Sequence, residues 1–263
     1  MPEGDTVHRT ARRLDRALSG SVLSRTDFRV PSLATTDLSG IEVVGTAARG
    51  KHLLTRMLSR TPGGSAWTLH THLKMEGSWR LYPPGQRWDR PAHQARVVLE
   101  TADQQAVGFS LGIVELVPTS QEDEIVGHLG PDLLGPDWDE DEALRRLGAD
   151  PERPLGQALL DQRNLAGIGN MYASELCFLS GLPPTTPVGR VADLRRLVRR
   201  AKQMLEQNVR RPTQATTGNL REPFWVYRRD RAACRRCGTP IEVAMLGDPG
   251  RERASYWCPR CQA

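Results

Sequence analysis

Lysine is nearly missing from this sequence. Of its 36 lysines and arginines only Lys51, Lys74 and Lys202 are lysine. The arginine surplus is a general compositional bias that marks no single arginine. The lysines are marked, because an ammonium can be tuned towards proton transfer and a guanidinium cannot. Long apolar runs are also missing, and none reaches the length that crosses a bilayer. The opening MPEGDTVHRT lacks the apolar centre of a secretory signal, so a cytoplasmic protein is expected, without membrane contact. Cysteine is scarce, at five residues, and without an export signal a disulfide framework is not expected. Internal repeats and low-complexity tracts are absent. The 263 residues, 38% hydrophobic and 25% charged, suit a globular protein of one large or two medium domains. A net charge of +5 and a pI near 9.2 suit a polyanionic partner, and equally an ordinary basic protein.

Val7, Ala11, Leu14 and Leu18 recur at helical spacing, predicting a helix over 5–19 that Asp5 or Thr6 caps and Gly20 ends. From Val22 to Val117 the pattern changes to short alternating runs such as AWTLHTHL and ARVVLET, split by TPGG and PPGQ. That pattern predicts antiparallel strands in a sandwich. The acidic GPDLLGPDWDEDEA (130–143) reads as a boundary, a solvated linker leading into a helix start. Helical patterns follow over 139–148, 155–165, 169–180 and 191–210. In the last, Leu194, Leu197, Val198 and Leu205 share one side, and its basic residues read as a wet face. Residues 211–224 read as a loop.

Four cysteines close the chain as Cys234-Arg-Arg-Cys237 and Cys258-Pro-Arg-Cys261, with twenty residues between the pairs. This spacing suits one tetrahedral zinc ion held by four thiolates. Such a site has no open position for water, so the zinc is structural. The IEVAMLGDPGRERASYW between the pairs reads as a hairpin around GDPG. Cys177, left over in an apolar helical pattern, reads as core. At the other end, removal of Met1 would leave Pro2 as a free secondary amine, which titrates near ~8. Attack by such an amine on an aldehyde-level carbon gives an iminium that acidifies the neighbouring carbon and permits elimination. Glu3 beside it could donate and accept protons.

Four segments in order, MPEGDTVHR, RGKHLL (49–54), LLDQRNLAGIGNMYASE (159–175) and CRRCG…RASYWCPRCQ, resemble the formamidopyrimidine-DNA glycosylase/endonuclease VIII family over nearly the whole chain. The resemblance implies an α+β multidomain fold. An N-terminal β-sandwich catalytic domain with flanking helices (1–130) precedes a helical domain with a helix–two-turns–helix module (131–222) and a zinc ribbon (223–263). It implies damaged DNA as partner, one structural zinc, no small-molecule cofactor, and a bifunctional glycosylase/lyase working in the cytoplasm, at the nucleoid in a bacterium. A monomer is expected. Pro2 would attack C1′ of the damaged nucleotide, Glu3 would be the proton donor, and Lys51 would contact phosphate and assist proton transfer in β-elimination. Arg253, with Arg251 as competitor, would grip phosphate for δ-elimination. In LAGIGN, exposed N–H groups at a helix start and the Asn170 side chain suit a phosphate. Met75, flanked by Lys74 and Glu76, would enter the duplex where the damaged nucleotide is flipped out. His72 and His93 would reach phosphates, and Glu175 reads as a structural buried pairing.

The sequence departs from the oxidised-purine branch, which carries D-P-R-R-F-G where this chain has AVGFSLGIVELVP (106–118). This points to the endonuclease VIII-like branch and to oxidised pyrimidines, with Phe109 a partial stand-in for the missing gap-filling residues. Asp5-Thr6 stands where endonuclease VIII chains have Pro-Glu, which leaves the fine preference open. The competing readings are a non-catalytic protein that binds damaged DNA, an oxidised-purine glycosylase, and a zinc-ribbon RNA-associated factor. Intact Pro2, Glu3 and Lys51 argue against the first, the 106–118 segment argues against the second, and the third leaves the N-terminal constellation unexplained. A fourth reading, a zinc hydrolase, fails because the metal has no open position.

Overall fold

The computed structural model describes residues 2–61, 63–250 and 252–263. They form two compact units, one of Pro2 and Thr6–His128, the other of Glu3–Asp5 and Leu129–Ala263. Helix α1, Gly4–Leu18, begins among the residues of the second unit and continues in the first. Its expected stripe of Val7, Ala11, Leu14 and Leu18 is buried.

The first unit contains eight strands: β1 (Arg25–Phe28), β2 (Glu42–Arg49), β3 (His52–Leu58), β4 (Ala66–His72), β5 (Ser78–Tyr82), β6 (Ala95–Glu100), β7 (Gln105–Phe109) and β8 (Ile113–Pro118). They make two antiparallel sheets, ordered β1-β6-β7-β5 and β2-β3-β4-β8. Period-two alternation decides which side chains meet between them. Leu53, Met57 and Leu69 from one sheet pack with Val97, Leu99 and Ala106 from the other, and with α1. This is the expected sandwich. The register Arg49↔His52 leaves Gly50 and Lys51 as a two-residue turn. Gly50 has φ 57°, a left-handed value that glycine adopts freely at the first central position of such a hairpin. The opposite face of β3 and β4 is covered in part by α2, Glu122–Val126, too short to be foreseen from periodicity. Its Glu122 accepts two hydrogen bonds from Arg56, both 2.7 Å, and one from Thr68 at 2.5 Å.

The second unit packs α3 (Glu140–Gly148), α4 (Leu155–Leu160), α5 (Asn170–Ser180) and α6 (Leu194–Val209) around one apolar core. Asp139 and Asp193 cap α3 and α6 by accepting from the amides of Glu142 and Arg196. The acidic run before α3 is less solvated than the sequence suggests, since Glu140 binds Arg195 and Arg199 of α6. Those arginines are thus spent on an intramolecular contact. Helix α4 ends at Leu160 and not at 165. Asp161 has extended backbone there and binds Arg153 and Arg163. Helix α5 is buried nearly all round and stops at Gly181, whose φ of 70° gives a left-handed cap. Cys177 lies wholly inside, and burial pushes its thiol up to about 12, so it is core. The C-terminal ribbon is the expected antiparallel hairpin, β9 (Glu242–Leu246) and β10 (Arg253–Trp257). Among the described residues no helix is long and apolar enough to cross a membrane.

Candidate active site

Residues Glu3–Asp5 are built into the second unit. The Gly4 amide donates to the Gly167 carbonyl at 2.9 Å. Glu3, fully buried, lays its carboxylate on the first turn of α5. Its two oxygens accept from the amides of Gly169 (2.6 Å), Met171 (2.8 Å) and Tyr172 (3.4 Å). A helix N-terminus offers unpaired N–H groups and a favourable dipole to a negative group. The expectation that these amides are exposed for a phosphate is therefore corrected, because Glu3 occupies them. The glycines of LAGIGN serve this seat. A Cβ at Gly169 would stand 2.6 Å from Cδ of Glu3, and one at Gly4 would stand 2.8 Å from Cα of Gly167. Gly167 itself has φ 107°. Next to Glu3, Asp5 is buried and accepts from Gln214 at 2.7 Å. The atypical Asp5 thus has a packing task.

Glu175, one face further along α5, is also fully buried. It accepts from the amides of Trp225 (2.9 Å), Val226 and Tyr227 (both 2.8 Å), and from the Thr216 hydroxyl. It is the structural group the sequence suggested, paired with backbone and a hydroxyl in place of a cation.

In the first unit Lys51 stands at the tip of the β2–β3 turn. Beside it the strand register brings histidines together, since His52 lies opposite His72 and both β4 histidines share one face. His52 Nδ1 and His70 Nε2 are 2.8 Å apart, and His70 Nδ1 lies 3.0 Å from a Glu115 oxygen. The rings of His72 and His128 stand edge-on to His52, with centroids at 5.1 and 6.5 Å. Burial, with Lys74 and Lys51 adding, holds His72 down to about 4. Its Nδ1 accepts the Lys74 amide at 2.9 Å. The neutral ring therefore keeps its proton on Nε2, as a donor. The cluster of His52, His70 and His128 escaped the sequence reading, although the alternation in His-Thr-His carried the signal.

Lys74 and Met75 form the turn between β4 and β5. Lys74 has φ 50°, and Met75 is 60% exposed, which excludes the alternative of a core methionine. Gly112 makes room for the Lys74 stem, because a Cβ there would lie 2.1 Å from Lys74 Cγ. Phe109, by contrast, is fully buried and edge-on to Trp88 at 5.6 Å. It cannot stand in for gap-filling residues, and that expectation is corrected. His93 is exposed on the short turn Ala92–Gln94 that leads into β6. Pro2 is half-buried.

In the ribbon, Sγ of Cys234 and Cys261 are 3.9 Å apart, and those of Cys237 and Cys258 3.5 Å. All four sulfurs lie within 4.8 Å of one another. Tetrahedral bonds of roughly 2.3 Å place sulfurs about 3.8 Å apart, so the cluster fits one metal ion. Arg253 opens β10, exposed. The Asn170 side chain donates to the Ala254 carbonyl of the same strand at 2.6 Å, which spends one of its two N–H groups. The competitor Arg251 lies outside the described residues.

Two family models match the chain. The formamidopyrimidine-DNA glycosylase N-terminal domain covers residues 1–110, and the formamidopyrimidine-DNA glycosylase H2TH domain covers residues 129–219. Over the whole chain it is 56% identical to a probable endonuclease 8 2 of Streptomyces coelicolor, of which 94% is covered. It is 51% identical to the DNA-(apurinic or apyrimidinic site) lyase Nei2 of Mycolicibacterium smegmatis, with 99% of that protein covered. Against endonuclease 8 of Escherichia coli it is 32% identical, with both chains covered fully. A solved structure of Lactococcus lactis Fpg with abasic-site DNA superposes with a TM-score of 0.80 at 22% identity over the full length of both chains, a likeness of fold. With a Glu3 seat on the glycine-rich loop and a four-cysteine ribbon, and with relatives this similar over their full length, the chain belongs to the formamidopyrimidine-DNA glycosylase family, on its endonuclease 8 side.

Proposed function

We propose that the chain is a bifunctional DNA glycosylase and abasic-site lyase of base excision repair. It acts on oxidised bases, chiefly pyrimidines, through Pro2 as N-terminal amine after removal of Met1. The observation that carries this reading is the seat of Glu3, a buried carboxylate fixed by three amides directly after the nucleophile in sequence. The Pro2 nitrogen attacks C1′, and the glycosidic bond breaks with its electron pair leaving on the base. Glu3 takes up the proton that the Pro2 N–H sheds on attack and hands it to the departing base. The C1′–O4′ bond then opens, with O4′ taking a proton from water, and the resulting iminium acidifies the neighbouring carbon. Loss of that carbon's proton, assisted by Lys51, expels the 3′ phosphate, and a second elimination with Arg253 on phosphate completes the cut. Lys74, His72, His93 and Asn170 hold the DNA backbone, and Met75 fills the gap left by the flipped nucleotide. We assign residues 1–130 to catalysis, 131–222 to the helix–two-turns–helix module and 223–263 to the ribbon. Cys234, Cys237, Cys258 and Cys261 would hold one zinc ion, which supplies fold stability to the ribbon. The protein works as a cytoplasmic monomer on damaged DNA.

Borohydride trapping on an oligonucleotide with a single abasic site tests this reading. A covalent adduct located at Pro2 by peptide mass mapping is the expected result. Absence of the adduct from metal-loaded protein with Met1 removed would overturn it.

A further inference from the structure

The histidine cluster holds a directional hydrogen-bonded chain that the proposed chemistry does not yet use. An ionised carboxylate only accepts, so Glu115 receives the proton of His70 Nδ1 at 3.0 Å. His70 Nε2 then carries a lone pair in the neutral ring and receives the Nδ1 proton of His52 at 2.8 Å. This leaves Nε2 of His52 as the proton-accepting end of the chain, one residue from Lys51. His70 is buried, and the Glu115 side chain is 56% exposed, so the chain runs from a covered ring to solvent.

We propose that Glu115 and His70 are positioning residues for the elimination step, and that with His52 they form a relay that takes up the proton removed at the sugar beside Lys51. The proposal rests on the lyase reading above. The proton arriving, directly or through Lys51, bonds to His52 Nε2. The Nδ1 proton of His52 moves to His70 Nε2, while His70 keeps its Nδ1 proton towards Glu115. One proton has entered, His52 is neutral again in its other tautomer, and His70 is an imidazolium against a carboxylate. The Nδ1 proton of His70 leaves through Glu115 to water, and a proton passed back along the same path, with the Nε2 proton of His52 released, restores the starting tautomers.

The surroundings explain why the charge should travel. The face that holds His52 also carries His72 and His70 on β4, His128 after α2, and Lys74 in the following turn. Burial foremost, then these groups, push His52 down to about 3. A proton lodged on that ring would be expelled, whereas one displaced to His70 faces Glu115. The nearby carboxylate Glu122 is already held by Arg56 and Thr68. The strand register fixes the order of the relay, with His70 opposite Glu115 across β4 and β8, and His52 opposite His72 across β3 and β4.

The test uses full-length, metal-loaded protein on duplex DNA with a preformed abasic site. It compares wild type with Glu115→Gln and His70→Gln under single turnover from about pH 5.5 to 8.5. Borohydride trapping is followed separately from strand cleavage. Trapping should stay within about twofold of wild type in both variants, since Schiff-base formation belongs to Pro2, while strand cleavage by His70→Gln should fall about 10-fold or more. In Glu115→Gln strand cleavage should also fall, because the amide no longer obliges His70 to keep its proton on Nδ1 and its lone pair towards His52. Unchanged cleavage profiles in both variants would overturn the relay and leave the lyase reading intact. Absent trapping in wild type would overturn the lyase reading and the relay with it. If His70→Gln loses DNA affinity and trapping together, its packing has failed, and the half-exposed Glu115→Gln decides alone.

Discussion

An amide at position 3 would be poorly received by the backbone that now binds Glu3. The carboxylate accepts on both oxygens, from Gly169 and Tyr172 on one and from Met171 on the other. In Glu3→Gln one of those atoms becomes an NH2 group that faces an N–H donor. The substitution should lower excision of an oxidised pyrimidine by about 10²–10⁴-fold, the range for loss of a positioned proton donor. Cleavage of a preformed abasic site, which has no base to release, should be far less affected. Measuring both substrates with one protein preparation checks this, and equal losses would point to a displaced chain start. At this scale the proposed Pro2-Glu3 pair could be read from the sequence because its two residues are adjacent. The seat of Glu3 was not, because its partners lie 166 to 169 residues away in sequence. Phe109 misled for a related reason, since an aromatic in an alternating strand does not announce which face is buried.

Helix α1, the sandwich strands and the ribbon hairpin were legible because each carries its own period or punctuation. Helix α2 was too short for a period, and the end of α4 was set by the arginine partners of Asp161, not by a breaker. The ribbon illustrates the limit of an element alone. Two strands are marginal in water, and Val243 and Met245 of β9 are exposed. The hairpin instead continues into the Cys234, Cys258, Ile241 and Phe178 cluster. Metal removal by a chelator, or Cys237→Ser, should therefore cost the ribbon its order. The expected readouts are one zinc per chain in the native protein by elemental analysis, and loss of near-ultraviolet dichroism with weakened DNA binding after removal. The β-face of the first unit yields a pH prediction. His52 and His72 are held down to about 3 and about 4, below the ~6.5 of an unfolded histidine. The unfolded chain therefore binds more protons than the folded one across that window, and stability rises with pH there. Full stability is present above about pH 7 and declines as pH falls through about 6.5 towards 4. Urea unfolding midpoints should show this slope, and it should shrink in the double variant His52→Gln/His72→Gln.

For the molecule as a whole, composition announced a basic protein but not where its charge is available. The chain carries 33 arginines, and many are spent internally. Arg195 and Arg199 hold Glu140 and Asp141, Arg153 and Arg163 hold Asp161, and Arg56 holds Glu122. The proposed cationic phosphate contacts are instead Lys51, Lys74 and Arg253, each at a turn or strand end, while His72, His93 and Asn170 add hydrogen bonds without charge. Net charge would predict a broad and steep dependence of DNA affinity on salt. Specific contacts predict a small one, because each neutralised phosphate contributes about −0.9 to the slope of log K against log salt. Three cationic contacts give about −3. Arg253→Ala should make that slope shallower by about 1. Arg199→Ala, which removes an arginine of equal charge already committed to Glu140, should leave it unchanged. Affinities for an abasic-site analogue duplex at several salt concentrations separate the two cases. Equal changes in slope for both variants would mean that the overall positive field binds the DNA, and the assignment of Lys51, Lys74 and Arg253 would fall.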